Sequence, residues 1–165
     1  MIPESIPTLP YLPINDWLSA ARNRQPDQII GDGEKVPYMR RWFIIPPNDK
    51  QNVYLHHFLR DDKDTPHDHP WPSVSIILDG GYREQFLDGS SVLRNPGNIV
   101  DRPAEQAHRI VLLRDRRGGI IQAWTLFFTG PKIREWGFHC PQGWVHWKKF
   151  TAANDSGLIG EGCGQ

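Results

Sequence analysis

The chain has 165 residues, and its 19 basic and 19 acidic side chains give a formal net charge of zero at pH 7. This length is enough for one domain with a sizeable hydrophobic core. Charges of both signs are interspersed, so the sequence shows no basic surface of the kind that binds nucleic acid. No apolar run approaches the ~20 residues that span a bilayer. We therefore expect one domain that binds neither nucleic acid nor a membrane.

The first 35 residues are predicted to form an N-terminal arm and one short helix. Residues 1–14 contain four prolines, which favour an extended arm with few internal hydrogen bonds. The arm also carries more apolar side chains than an ordinary disordered tail. We expect it to pack along its own domain or across a partner subunit, with a two-fold homodimer as the assembly. Asn15 or Asp16 can cap a helix that continues to about Arg24.

From Val36 onward the sequence changes to short strands separated by turns. Strand-like runs cover residues 38–45, 53–59, 73–78, 82–86, 92–94, 109–113 and 120–129. The runs show no helical periodicity, and this pattern predicts an all-β barrel or sandwich over residues 36–150. Residues 151–165 are rich in glycine and small polar side chains, which predicts a flexible C-terminal tail.

Two features of the sequence favour a cytoplasmic protein. The N-terminal residues lack the basic and apolar regions of a signal peptide. Two cysteines, Cys140 and Cys163, are too few for a disulfide framework. Cys163 nevertheless lies in the predicted tail, where pairing with Cys140 would cost little.

Three histidines form the most informative pattern of the chain. His67 and His69 are two positions apart, and in an extended segment such side chains point to the same face. His108 opens a distant strand-like run and could complete a facial set of ligands. Neutral imidazole suits zinc, iron, copper and nickel, and three protein ligands leave positions open for water or substrate. The sequence therefore predicts a metal site at His67, His69 and His108.

The surroundings of these histidines resemble the two motifs of the cupin superfamily. The first motif is similar to His67-Asp68-His69, the strand-like run after it and the turn Asp79-Gly80-Gly81; the second is similar to the turn Asn95-Pro96-Gly97, Arg102-Pro103 and His108. The resemblance covers roughly residues 36–130. It implies a single cupin-type antiparallel β-barrel or jelly roll, in the three-histidine metal-binding variant.

The resemblance departs from the family pattern at one ligand. Many cupins carry a glutamate four or five residues after the second histidine, where this chain has Ser73 or Val74. A displaced carboxylate, Glu84 or Glu105, could serve as a fourth ligand instead.

Strand alternation suggests which side chains surround the metal site. Trp71 and Ser73 continue the face of His69, whereas the run 120–129 can present either Gln122 and Trp124 or Ala123 and Thr125. The predicted substrate pocket consists of Trp71, Ser73 and Trp124, and the candidate catalytic residues are Tyr82, Glu105 and Gln106. An arginine such as Arg40, Arg94 or Arg109 could bind a substrate anion, although a solvated strand face is the simpler interpretation of each.

The remaining histidines have less specific interpretations. His56 and His57 are adjacent, so at most one of them can enter the barrel. The segment 130–147 holds three of the seven tryptophans, and its His139, Cys140 and His146 could form a second metal site. We favour a closing hairpin whose aromatic side chains cover the barrel.

The resemblance implies a function at the level of a class. It favours a metal-binding cupin with one divalent transition metal, preferably iron(II), with zinc or nickel as alternatives. Such a protein would be a non-heme iron dioxygenase acting on a small organic substrate. Two other classes stay open: a metal-independent sugar-nucleotide isomerase or epimerase, and a non-catalytic cupin that binds a small molecule.

Overall fold

The computed structural model describes Ser19 and residues 23–164, which form antiparallel sheets with very little helix. The strands are β1 (Gln28–Ile30), β2 (Met39–Phe43), β3 (Asn52–Phe58), β4 (Ser73–Asp79), β5 (Tyr82–Phe86), β6 (Ser91–Arg94), β7 (Ile99–Arg102), β8 (His108–Arg114), β9 (Ile120–Ile121), β10 (Ala123–Thr129), β11 (Gly137–Cys140), β12 (Gly143–His146), β13 (Thr151–Ala152) and β14 (Asp155–Ile159). A short helix, α1 (Trp147–Phe150), lies between β12 and β13.

Two sheets enclose the main hydrophobic core. The larger has the strand order β1-β2-β3-β10-β4-β7, and the smaller has the order β6-β5-β8-β9. Strands β4 and β8 alternate between buried and partly exposed residues, as expected for strands with one face on the core. Phe58 and Ile77 from the larger sheet meet Tyr82 and Ile110 from the smaller one in a single buried cluster. The all-β jelly roll predicted from the sequence is confirmed.

Strand β3 is buried along its whole length because both of its faces are covered. Phe58 belongs to the core between the sheets. On the opposite face of the larger sheet, Leu55 packs with Trp42 and Trp124, whose rings stack with centroids 5.5 Å apart. The larger sheet therefore supports a second, smaller apolar cluster outside the barrel.

The C-terminal residues form ordered structure where the sequence predicted a flexible tail. Strands β13 and β14 pair with each other, and the Asp155 carboxylate accepts hydrogen bonds from the backbone N–H groups of Gly31 and Asp32. A Cβ atom at Gly157 would lie 2.2 Å from the backbone nitrogen of Gly31. Here glycine permits a close approach of two backbones, whereas the sequence analysis took it as a sign of mobility.

Strand β1 is a second difference, since it lies within the segment assigned to the arm and helix. Its residues pair with β2, with Ile29 opposite Arg40. The predicted arm, residues 1–14, and most of the predicted helix lie outside the described residues. The division of the chain into three segments and the homodimer stay predictions. No helix in the described part of the chain is long and apolar enough to cross a membrane.

A disulfide joins Cys140 on β11 to Cys163, with their Cα atoms 5.5 Å apart. The bond fastens the C-terminal end to a cluster that includes Phe138 and Phe150, whose rings stack at 3.7 Å. Disulfides persist mainly in oxidising compartments. The cytoplasmic location stays a prediction, and this bond does not favour it.

Breaking the disulfide should lower the stability of the fold. The bond closes a loop between residues 23 positions apart, and a loop of this size stabilises by about 3 kcal/mol through the entropy of the unfolded chain. We expect Cys163→Ala to lower the urea midpoint accordingly. In reducing buffer, wild type and variant should unfold together. Equal midpoints in oxidising buffer would contradict the assigned bond.

Candidate metal centre

Backbone pairing brings the three predicted ligands together. The backbone N–H of His67 donates to the carbonyl of His108 (2.9 Å), and the N–H of His108 donates back to His67 (3.0 Å). The N–H of His69 donates to Ala104, close to the start of β8 (2.9 Å). One ligand nitrogen from each of the three rings lies within 4.8 Å of the other two. This group could hold a metal ion, as the sequence predicted.

The three imidazoles are chemically suited to a divalent transition metal. Burial lowers the pKa of His67 to about 4, with His108 acting in the same direction and the Asp62 carboxylate opposing it. Burial and the two neighbouring imidazoles also hold the pKa of His69 well below its usual value. Both rings are therefore neutral at pH 7, which is the state that a metal ligand requires. In the described part of the chain, the buried Nδ1 of His69 has no hydrogen-bond partner, and Nδ1 of His67 lies 3.5 Å from Asp62 Oδ2, too far for a good hydrogen bond.

Glu84 orients the third ligand from behind. Strand β5 pairs with β8, and its alternation turns Glu84 inward, where the side chain is fully buried. Its Oε1 atom lies 2.6 Å from His108 Nδ1 and accepts from Arg102 Nε at 2.5 Å, while Oε2 accepts from Arg94 Nε at 2.7 Å. Both carboxylate oxygens thus contact these side chains and not the shared face of the three ligand nitrogens. A carboxylate in this position fixes the orientation of a metal-ligating histidine.

The ionisation of Glu84 decides which nitrogen of His108 faces a metal. Burial raises the pKa of Glu84, but the hydrogen bonds from His108 and Arg102 and the charge of Arg102 outweigh it and hold the pKa well below the usual range. An ionised carboxylate can only accept, so Nδ1 of His108 carries the proton. Nε2 is then the nitrogen left for a metal ion.

Tyr82, a candidate catalytic residue, lies in the same buried network. Its hydroxyl accepts a hydrogen bond from Arg102 Nη2 (3.0 Å), and Arg102 Nη1 donates to Ser75 (2.8 Å). Only 1% of Tyr82 is exposed. The side chain contributes to the core between the sheets and does not line the cavity described below.

Asp68, between the first two ligands, points the opposite way and anchors the hairpin β11–β12. Its carboxylate accepts from the backbone N–H of Gly137 (2.8 Å) and from Trp144 Nε1 (3.0 Å). It also lies 3.0 Å from Arg134 Nη1 and 3.1 Å from His139 Nε2. The loop that carries the ligands is therefore fastened to the closing hairpin by one buried charge.

These contacts exclude a second metal site in the hairpin as described. Cys140 is consumed in the disulfide, His139 contacts Asp68, and His146 lies 2.9 Å from Glu135. The segment 130–147 is the closing hairpin that we favoured.

A cavity of about 270 Å³ opens beside the three histidines. Its walls combine aromatic and apolar side chains from the larger sheet and the closing hairpin with a few polar groups. Residues of the wall include Tyr38, Met39, Arg41, His56, Phe58, Asp62, Lys63, Trp71, Phe127, Trp136, Phe138 and Trp147. Such a partly apolar pocket with convergent polar groups is typical of a small-molecule site.

Of the three predicted pocket residues, only Trp71 lines this cavity. Ser73 is buried in β4 outside it. Trp124 faces the other side of the larger sheet and stacks on His57 with ring centroids 3.9 Å apart. The pairing of β10 with β4 shifts between Trp124 and Thr125, and Ala123 lies in the core between the sheets. The residues of β10 that face inward are therefore Ala123 and Thr125, the second of the two pairs that the sequence left open.

The other candidate residues also lie away from the cavity. Glu105 is exposed and Gln106 is partly buried, and neither lines the wall. Among the arginines, Arg94 pairs with Glu84 and Arg109 with Asp64, while Arg40 is exposed. Their assignment to catalysis or to anion binding has no support in this geometry.

Arg41, which was not among the candidates predicted from the sequence, lines the cavity with His56. These two residues face each other across β2 and β3. Arg41 shares its face with Met39, which is buried, so the alternation of β2 contained the signal. Of the adjacent histidines, His56 enters the barrel and His57 lies outside it.

Comparison with known proteins bears on the fold. No family model matches the sequence, and no curated protein matches it. The structure is similar to that of the DMSP lyase DddQ from Ruegeria pomeroyi DSS-3, with 15% identity, a TM-score of 0.55, and coverage of 78% of this chain and 68% of that one. It also matches a cupin-2 domain containing protein from Shewanella frigidimarina NCIMB 400 (15% identity, TM-score 0.49, 74% and 95% covered) and KdgF from Halomonas sp. (17%, 0.45, 63% and 94%). At these identities the likeness concerns the fold alone: the chain has the cupin fold that the resemblance implied.

Glu84→Gln should weaken metal binding. An amide cannot balance Arg94 and Arg102 or fix the His108 tautomer, and loss of such a supporting partner costs on the order of 10- to 100-fold in metal affinity. Competition with a chromophoric chelator measures this. The exposed Glu105→Gln variant is the matched control and should bind as wild type does. Unchanged affinity in a folded Glu84→Gln protein would contradict the role of Glu84.

Asp68→Asn should loosen the closing hairpin. Removing the charge leaves Arg134 without its acidic partner. The new amide group also points its hydrogens toward groups that are themselves donors, and together these changes should lower the free energy of unfolding by about 3 kcal/mol. Hydrogen exchange should then accelerate at the amides of β11 and β12 before the rest of the sheet. Asp64→Asn, whose carboxylate is almost fully exposed, should change stability by less than about 0.5 kcal/mol. Uniform exchange in both variants would exclude an anchoring role for Asp68.

Proposed function

We propose that this chain is a metal-dependent enzyme that holds one divalent transition metal through His67, His69 and His108. The observation that carries the proposal is the convergence of three histidines beside a cavity. The buried Glu84 carboxylate behind His108 supports it, because metal-ligating histidines usually donate their other ring N–H to such a partner.

Iron(II) is the favoured metal, with zinc and nickel as alternatives. Three imidazoles and open positions fit each of these ions, so the donor set alone does not select among them. Bound iron(II) would supply redox chemistry with dioxygen, and the activity we favour is that of a non-heme iron dioxygenase.

The size of the cavity favours a small organic substrate. At about 270 Å³ it lies just below the ~300–1,000 Å³ typical of ligand pockets. Such a volume suits a compact molecule better than a sugar nucleotide. Tyr82, a candidate catalytic residue that could have moved protons in the isomerase alternative, points into the core. The geometry therefore supports the metal-dependent function over that alternative.

The walls of the cavity have defined tasks in this function. Trp71, Phe127 and Trp136 supply apolar surface that excludes bulk water from the reacting groups. Burial, reinforced by the Asp62 carboxylate, raises the pKa of Tyr38 well above its usual value. The Tyr38 hydroxyl thus stays protonated at neutral pH and is a hydrogen-bond donor at the edge of the site.

The same volume limits the source of electrons. A cavity of this size favours one small molecule over a substrate together with an organic redox cofactor, and we propose that the substrate supplies all the electrons for reduction of dioxygen. Electron-rich compounds that chelate metals meet this need, such as a diketone, a catechol-like ring or a thiol.

The test measures metal and oxygen separately. Protein purified without an affinity tag or chelator should contain close to one transition-metal ion per chain, and His69→Ala should lose most of it. Iron(II)-loaded wild type should consume dioxygen with a member of the panel above, and His69→Ala should not. His146→Asn keeps the capping capacity of that residue and removes a histidine outside the site, so it should behave as wild type does.

Three results would redirect the proposal. Full metal content in His69→Ala would refute the ligand assignment. Native zinc with no oxygen consumption would indicate a non-redox role, catalytic or only binding. Proton exchange on a sugar nucleotide by metal-stripped protein would establish the isomerase alternative.

A further inference from the structure

Arg41 is a cation held in place on the wall of the cavity. Its Nε donates to His56 Nε2 across the β2–β3 pair (2.9 Å), and its Nη1 donates to Gln28 Oε1 (3.2 Å). The guanidinium also lies over the ring of Tyr54, 4.6 Å from the centroid. Arg41, His56 and Gln28 all line the cavity. The side chain is thus fixed by neutral groups before any ligand enters.

No acidic side chain in residues 23–164 pairs with Arg41. By contrast, Arg102 and Arg94 pair with Glu84, and Arg109 pairs with Asp64. Burying a cation without a counter-charge is costly. Burial lowers the pKa of Arg41 to about 10, although Tyr54 and Tyr38 oppose the shift, so the guanidinium remains charged at pH 7.

The other polar groups of the cavity do not cancel this charge. His56 accepts the Arg41 hydrogen bond, and burial together with the Arg41 charge keeps its pKa well below the usual value, so it is neutral. Lys63 donates to the carbonyl of Ser156 and lies beside Asp62, whose charge offsets it. Arg102, also in the wall, pairs with Glu84, so among the described residues Arg41 is the wall cation without an acidic group beside it. Arg41 Nη2 makes no hydrogen bond within the described part of the chain.

We propose that Arg41 binds the carboxylate of a small monoanionic substrate whose other end lies at the three histidines. An arginine with no acidic partner and one unbonded guanidinium nitrogen among the described residues matches one carboxylate, since charge-assisted hydrogen bonds of this kind are strong and directional. The proposal rests on the proposed function for the metal centre, and it adds the chemical class of the substrate.

The test compares acids with amides of the same shape. Propionate and propionamide form one pair, and benzoate and benzamide form another. Binding of each is measured by calorimetry on the full chain, both metal-loaded and chelator-treated. In wild type, the acid of at least one pair should bind more tightly than its amide by on the order of tenfold or more, because a hydrogen bond to a charged group contributes about that much. Arg41→Gln should abolish this preference.

Arg40→Gln is the matched control. Arg40 is the neighbouring arginine on β2 and is exposed, so its loss should leave the preference for the acid unchanged. If Arg41→Gln fails to fold, the wild-type comparison still decides. Absence of a preference for the acid in both pairs overturns the proposal, as does its persistence in folded Arg41→Gln.

The measurements on metal-loaded and chelator-treated protein separate the carboxylate subsite at Arg41 from the proposed metal centre. A preference that depends on Arg41 in chelator-treated protein, together with failure to bind any metal, would support the subsite and refute the metal centre. Metal bound through the histidines without a preference for the acid would refute the subsite and leave the metal centre intact.

Discussion

The buried carboxylate of Glu84 is the interaction on which both the fold and the candidate site depend. It stands on β5 in the smaller sheet and accepts from Arg102 on β7 in the larger one, so a single charge joins the two layers of the barrel. The same carboxylate holds His108 and fixes which of its nitrogens faces the cavity. A buried charge is tolerated only when its partners remain in place. Packing of the sheets and orientation of the ligand are therefore one constraint.

Asp68 joins the closing hairpin to the ligand loop, as Glu84 joins the two sheets. Alternation along His67-Asp68-His69 sends two side chains toward the cavity and one away from it. The Asp68 carboxylate, which points away from the cavity, accepts hydrogen bonds from the backbone N–H of Gly137 and from Trp144 Nε1. Three consecutive residues thus supply two ligands and the anchor of the wall that encloses them.

The features that the sequence predicted well are those with local signals. The alternation of β4 and β8 and the turn-punctuated strands were visible in the chain, and so was the i, i+2 spacing of His67 and His69. Their convergence with His108 followed from the resemblance to cupins. The structure confirms the barrel and the grouping of these three histidines.

The features that the sequence missed depend on tertiary pairing. The side that Trp124 occupies depends on the register of β10 with β3, which places Trp124 opposite His57. The roles of Tyr82 and Glu84 depend on Arg102, which arrives from β7 in the other sheet. Order at the C-terminus requires the disulfide and the close approach of Gly157 to Gly31. None of these relations has a signature within one segment of chain.

The ligands and the wall of the cavity come from different parts of the chain. Backbone pairing sets the positions of His67, His69 and His108; the partners are these residues themselves, Ala104 and, for His67, Phe138. The closing hairpin supplies Trp136, Phe138 and Trp147 to the wall. Asp68 joins this hairpin to the ligand loop, and the disulfide joins it to the C-terminal end. The hairpin pairs with the ligand loop through backbone hydrogen bonds, so its side chains can diverge as long as this backbone pairing is kept. An architecture of this kind lets substrate choice evolve, or be redesigned, while the inorganic centre stays constant.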